Sequence, residues 1–282
     1  MATWQLKAEG SVVWEEWAKR TGLKHAFVVT RQNADLLSEH LAQHPAADII
    51  LLTQLQELPR RIRSQYPAAQ LWVSAMAAKS FVQLSAPEIT DIKVIPLREL
   101  FSDVNAIAPR KPEHLLILAE NHALGGLNLG LLIGLELKRL GWTGELWERT
   151  VPVPSASTPV RDWELHSFAT DWLDYALEWR RRCGVKQADA ELPAATGALW
   201  LPLHMAPTLS PNPAWALASG LKVVTWRDPW GEELASEFPG ALLLERAWSE
   251  NFDPFRKPGE SPVNQGIARG VARIIATQWG LP

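Results

Sequence analysis

Short, nearly unbroken apolar runs alternate along this chain with stretches in which apolar residues recur every three or four positions. The short runs predict strands over 23–30, 47–54, 69–75 and 91–97, then over 114–120 and 144–152, and again over 197–205, 221–226 and 241–247. Between them "NADLLSEHLAQH", "ELPRRIRSQY", "MAAKSFVQL", "LGGLNLGLLIGLELKRL" and "WGEELASEF" carry the helical period, and "SPVNQGIARGVARIIATQWG" closes the chain as a long helix. In that last helix Val263, Ile267, Val271 and Ile275 fall four apart and predict one buried stripe, with Arg269 and Arg273 off it. Strands that are apolar throughout are strands covered on both faces, so the alternation predicts an α/β protein with mainly parallel sheets.

About ten strands exceed one comfortable small sheet. The expected architecture is therefore two Rossmann- or flavodoxin-like lobes with an inter-lobe cleft, and the Pro/Ser-rich connector at 152–160 is the expected linker. A length of 282 residues accommodates two such domains. Composition, at 47% hydrophobic and 21% charged with a net charge of −3, is that of a globular chain without a global pull toward nucleic acid. The single cysteine, Cys183, excludes an internal disulfide and a cysteine-based zinc site, and fits a reducing compartment. The start of the chain has no basic segment followed by an apolar run, and "LGGLNLGLLIGLEL" is shorter than the about 20 apolar residues that span a bilayer. The expectation is a cytoplasmic protein that does not enter a membrane. The fifteen tryptophans read as large core or groove-lining residues.

Candidate chemistry gathers where strands end. In parallel sheets ligands sit beyond the carboxyl ends of the strands, where helix N-termini present unpaired amides. Gly125 and Gly126 follow one such strand and open a helix. They either let an anion approach the amides closely or let an apolar helix pack tightly on the sheet. The pattern is neither G-x-G-x-x-G nor a Walker loop. Comparable ends are Thr30-Arg31-Gln32-Asn33, Ser74, Asn121 within "ENH", His204 with Thr208 and Ser210, and Arg227-Asp228. Each alone is a cap or a turn; together they would line a cleft that grips an anion, with Arg31 as a bidentate clamp. His25, His40, His44 and His166 show no metal spacing, and the His40/His44 pair reads as a solvated helix face. "RRIR" and "RRR" read as solvated faces. No nucleophile elbow, metalloprotease motif or cofactor loop is present, and no metal is expected.

Three resemblances bear on function. "FVVTRQNADLLSEHLAQ", "QYPAAQLWVSAMAAKSF", the central "HLLILAENHALGGLNLGLLIGLELKRLGWTGELWERTVP" and "KVVTWRDPWGEELASEFPGALLLERA" resemble, in order, segments of uroporphyrinogen-III synthases. That resemblance implies a cofactor-independent lyase closing hydroxymethylbilane between two lobes, one of 1–47 plus 154–282 and one of 48–153. It also implies that Arg31, Ser74, Gly125, Gly126 and Thr208 hold substrate carboxylates, with Trp147 and Arg149 near the chain crossing. Trp147 stands where that family has a tyrosine, so any role for its hydroxyl is lost. The first 150 residues also resemble a CRISPR-associated Rossmann-fold (CARF) sensor, with "ENHALGGLN" at its phosphate loop, which implies a dimeric sensor of cyclic oligoadenylate. The third, "NPAWALASGLKVVTW", is similar to part of a two-lobed nucleotide-sugar transferase. All three share an anionic small-molecule partner, and none involves nucleic acid other than a cyclic oligonucleotide. Monomer and homodimer both remain open.

Overall fold

In the structure, a computed structural model, the strands separate into two parallel sheets between Ile95 and His114. It describes residues 3–5, 12–30, 33–52, 57–102, 104, 111–120, 125–151, 180–181, 183–188, 191–193, 196–203, 211–254, 256 and 260–282. The predicted linker at 152–160 lies outside these residues.

The first sheet takes β2 (Phe27–Val29), β3 (Asp48–Leu51), β4 (Gln70–Ser74) and β5 (Lys93–Ile95), side by side in chain order and all parallel. Helices α2 (Leu37–Gln43), α3 (Glu57–Gln65) and α4 (Ala75–Ser85) join them, α1 (Val12–Arg20) precedes, and the short α5 (Leu97–Leu100) follows. Trp17 of α1 meets Trp72 of β4 edge to face at 5.5 Å between ring centroids.

The second sheet is built from β6 (His114–Glu120), β7 (Leu146–Val151), β8 (Lys186–Gln187), β10 (Thr196–Trp200), β11 (Val223–Arg227) and β12 (Ala241–Glu245). All are parallel, in the spatial order β12-β11-β10-β6-β7-β8. Its helices are α6 (Leu127–Arg139), α7 (Pro211–Ala218), α8 (Pro229–Glu237), α9 (Ala247–Glu250) and α10 (Pro262–Trp279). A small antiparallel ribbon pairs β1 (Thr3–Gln5) with β9 (Glu191–Pro193), tying the start of the chain to its second half. Two parallel α/β lobes are thus present as the apolar runs predicted, and every residue of β10 is buried.

Helix α6 is buried almost all round because it lies unusually close to its sheet. A Cβ on Gly130 would stand 2.6 Å from Ile117 Cγ2 of β6, and one on Gly134 2.6 Å from Leu146 Cδ2 of β7. Its outer side packs on α10, and its two buried polar residues, Asn128 and Glu136, find partners on that side. Asn128 Nδ2 donates to the Pro254 carbonyl at 3.0 Å, and Glu136 takes Arg139 and, at 3.3 Å, Arg269. The stripe predicted for α10 holds at Ile267, Val271 and Ile275, broadened by Ala268, Ala272, Ala276 and Trp279. Val263 departs from it: in the first helical turn it is 55% exposed, lining an open groove instead of the core.

The boundary at 47/48 implied by the synthase resemblance would fall between two hydrogen-bonded neighbours, since Phe27, Val28 and Val29 of β2 pair with Ile49, Ile50 and Leu51 of β3. Nor do 48–153 gather into one sheet, because β3 to β5 lie in the first and β6 and β7 in the second.

The two lobes share one apolar core. Leu97, Leu100 and Phe101 of the first join Trp215, Trp230, Leu234 and Phe238 of the second in a single buried cluster. Along its rim, α8 inserts two carboxylates into helix starts of the other lobe. Glu233 accepts from the amides of Met76 at 2.6 Å and Ala77 at 3.0 Å, capping α4. Glu237, one turn on, accepts from Leu97 at 3.2 Å and Arg98 at 2.8 Å, capping α5.

Candidate functional site at the β6/β10 switch point

Strand order decides where a parallel sheet can receive a ligand. The first sheet advances in one direction only, so its crossovers never diverge. In the second, β6 leads to β7 on one side while β10 leads to β11 on the other. The chain therefore continues from β6 and from β10 in opposite directions, the arrangement that favours ligand binding beyond the carboxyl ends of a parallel sheet.

Gly125 and Gly126 stand at this point, both buried, with Gly126 preceding α6. Gly126 has φ +89°, and a Cβ there would lie 2.4 Å from the carbonyl oxygen of Leu201, just past β10. Only glycine meets both demands. The backbone of one switch strand's exit is thereby pressed against that of the other. The close approach at Gly126 is thus to the Leu201 backbone, and it sets the start of α6 beside the β10 exit.

The β10 exit is fixed from the side by an arginine that sequence reading did not single out. Arg246, just after β12, donates from Nη1 to the Pro202 carbonyl and from Nη2 to the Leu203 carbonyl, each at 2.9 Å. Trp226 Nε1 donates to the same Pro202 oxygen at 2.8 Å, and the guanidinium lies 5.7 Å from the centre of the Trp226 ring. Burial lowers the pKa of Arg246, and the charges of Asp228 and Glu250 oppose that. Asp228 stands 3.7 Å from Arg246 and caps α8 by accepting from the amides of Trp230 and Gly231. The Arg227-Asp228 end predicted from sequence is thus a helix cap.

The remaining candidates are dispersed. Arg31, Gln32, Asn121, His204 and Thr208 lie outside the described residues. Asn33 closes its own loop, accepting from the Thr30 amide at 2.8 Å and donating to the Val28 carbonyl at 2.9 Å. Ser74 is buried at the N-cap of α4 but makes no side-chain cap; Glu233 holds the amides that follow it. Trp147 and Arg149 pair in register with Leu116 and Leu118 inside the sheet, short of the strand ends. The Trp147 ring faces the Lys186 ammonium at 5.3 Å. Among the described residues no group of His, Cys, Asp or Glu could hold a metal ion, and no helix is long and apolar enough to cross a membrane.

No family model and no curated protein matches the chain. Several solved structures do. One, described as trehalose-6-phosphate from E. coli bound with UDP-2-fluoro glucose, has a TM-score of 0.48 at 8% identity and covers 94% of this chain and 76% of its own. An α,α-trehalose-phosphate synthase (UDP-forming) from Burkholderia vietnamiensis has 0.44 at 10%, covering 96% and 83%. Likeness this distant settles neither ligand nor reaction. The uroporphyrinogen-III synthase and CARF resemblances are overturned by the distribution of strands between the two sheets. Each resemblance needs strands from 48–51 and 114–151 in one lobe, and the two sheets divide them.

Proposed function

We propose that this protein binds a nucleotide sugar at the β6/β10 switch point and transfers its sugar. The observation that carries the reading is the reversal of winding between β6 and β10, beside which stand the Gly126 backbone and the start of α6. A pyrophosphate is held by the amides of a helix N-terminus, which have no partner within the helix, and the first turn of α6 lies at that edge. The segment that resembles a nucleotide-sugar transferase, "NPAWALASGLKVVTW", folds as α7 and most of β11, the strand beside β10. Calorimetric titration with UDP, ADP and GDP, each free and as its glucose adduct, tests the binding. Saturable binding of at least one pair is expected, with shifts in the amide resonances of Leu127, Asn128 and Leu129. Flat titrations for all six ligands would reject the reading, and binding without sugar transfer to any acceptor would reject its catalytic half.

A further inference from the structure

The three histidines near the start of the first sheet are brought together by the fold. The rings of His25 and His44 stack at 3.9 Å between centroids with 11° between planes, and His40 lies 5.1 Å from His44. His40 Nε2 is 2.9 Å from the His25 carbonyl oxygen, and the His40 ring packs on Phe27 at 4.7 Å. His25 itself has φ +52°, a left-handed conformation uncommon for residues with side chains but less so for histidine. His40 lies on α2 and His44 caps its end, and both meet the turn that delivers the chain from α1 into β2.

We propose that His25, His40 and His44 form an acid-sensitive clasp that keeps this turn on α2 at neutral pH and releases it when the trio is protonated. Stacked neutral rings attract, whereas a second proton taken from solvent places like charges a few ångströms apart. Beyond burial, the charges acting on His44 are those of His25 and His40, and both lower its pKa. Lys19 and Arg20 end α1, Lys24 adjoins His25, Asp35 lies in the turn before α2, and Glu39 is on α2. Strand β2 carries no charge, Asp48 of β3 accepts from Trp72 Nε1 at 2.7 Å, and Arg20 donates to the Glu99 carbonyl. Burial and the charges of His25 and His40 hold His44 below the ordinary imidazole value, so its neutral form is the one the fold favours.

Residue-resolved amide exchange on the whole protein, between about pH 5 and about pH 8, tests the clasp. Protection of Leu23, Ala26 and Phe27 is expected to fall about tenfold toward the acid end, while amides of β4 and β6 stay protected. The variant His25→Asn keeps a side chain that tolerates positive φ but removes one ring. It should lose the acid response and return the His44 titration toward its ordinary value. Equal protection across the range in wild type, or an undiminished acid response in His25→Asn, would overturn the proposal.

Discussion

The carboxylate of Glu233 lies 2.6 Å from the backbone amide of Met76, although 157 residues separate them in the chain. With Glu237 on Leu97 and Arg98, it supplies α4 and α5 with caps that their own sequences lack, for Ser74 and Pro96 make no side-chain cap. An anion does meet helix amides between the two lobes, and it belongs to the protein. Removing both carboxylates in Glu233→Ala/Glu237→Ala should therefore lower stability by about 1–3 kcal/mol, the sum of two ordinary cap losses. Urea denaturation measures it; an unchanged midpoint would show that water replaces the caps at no cost.

The same contact has a pH signature. Burial raises the pKa of Glu233; the amides of Ala77 and Met76 pull the other way, and the charge of Glu237 adds to the rise. The folded state thus binds this proton more tightly than the unfolded chain. The stability it contributes is complete below the unfolded carboxyl pKa and is lost as pH rises through the elevated folded value. Glu233→Gln should remove that slope, so the stability difference between wild type and variant should move against wild type as pH rises above the ordinary carboxyl range. His44 acts in the opposite sense, since its depressed pKa adds stability that disappears on acidification. A flat wild-type-minus-variant curve would remove Glu233 from the titration.

These contacts also mark the limit of what the chain discloses on its own. The strands were legible because burial on both faces makes a run such as "DIIL" apolar without alternation. Their distribution between sheets was not, because parallel pairing joins segments far apart and leaves no local mark. The segment at 114–152 reads as strand, turn, helix and strand, yet its importance comes from β10 pairing beside β6. The helix "WGEELASEF" reads as amphipathic, but nothing in it distinguishes Glu232, which pairs with Arg227, from Glu233 and Glu237, which cap the other lobe. Arg246 was invisible for the same reason: its partners are backbone carbonyls more than forty residues away.

Two glycines separate close approach from mere composition. At Gly126 an alanine would meet the Leu201 carbonyl and a positive φ together, and Gly126→Ala should cost about 3 kcal/mol or more. Gly266 lies in α10 with nothing near its absent side chain, and Gly266→Ala should stabilise by about 0.5–1 kcal/mol. Thermal melts of the pair check both signs. Equal small effects would mean that the β6 and β10 exits are not pressed together as described.

Two parallel sheets invite the expectation of two independently melting halves, and the packing argues against it. Leu97, Leu100 and Phe101, which follow the first sheet, share a buried cluster with Trp215, Trp230, Leu234 and Phe238 around the second. Interfaces between mobile domains are more polar than this, and a large apolar one removes relative motion as the default. The ribbon of β1 with β9 and the paired carboxylate caps add further ties between the halves. Opening the halves would expose several aromatic rings, each worth about 1.5–3 kcal/mol of burial, before either sheet had lost a hydrogen bond. Unfolding should then be one cooperative transition, with tryptophan fluorescence and far-ultraviolet circular dichroism giving coincident urea curves. Two resolved transitions, or a fluorescence change that precedes loss of secondary structure, would mean that the shared cluster does not bind the lobes into one folding unit.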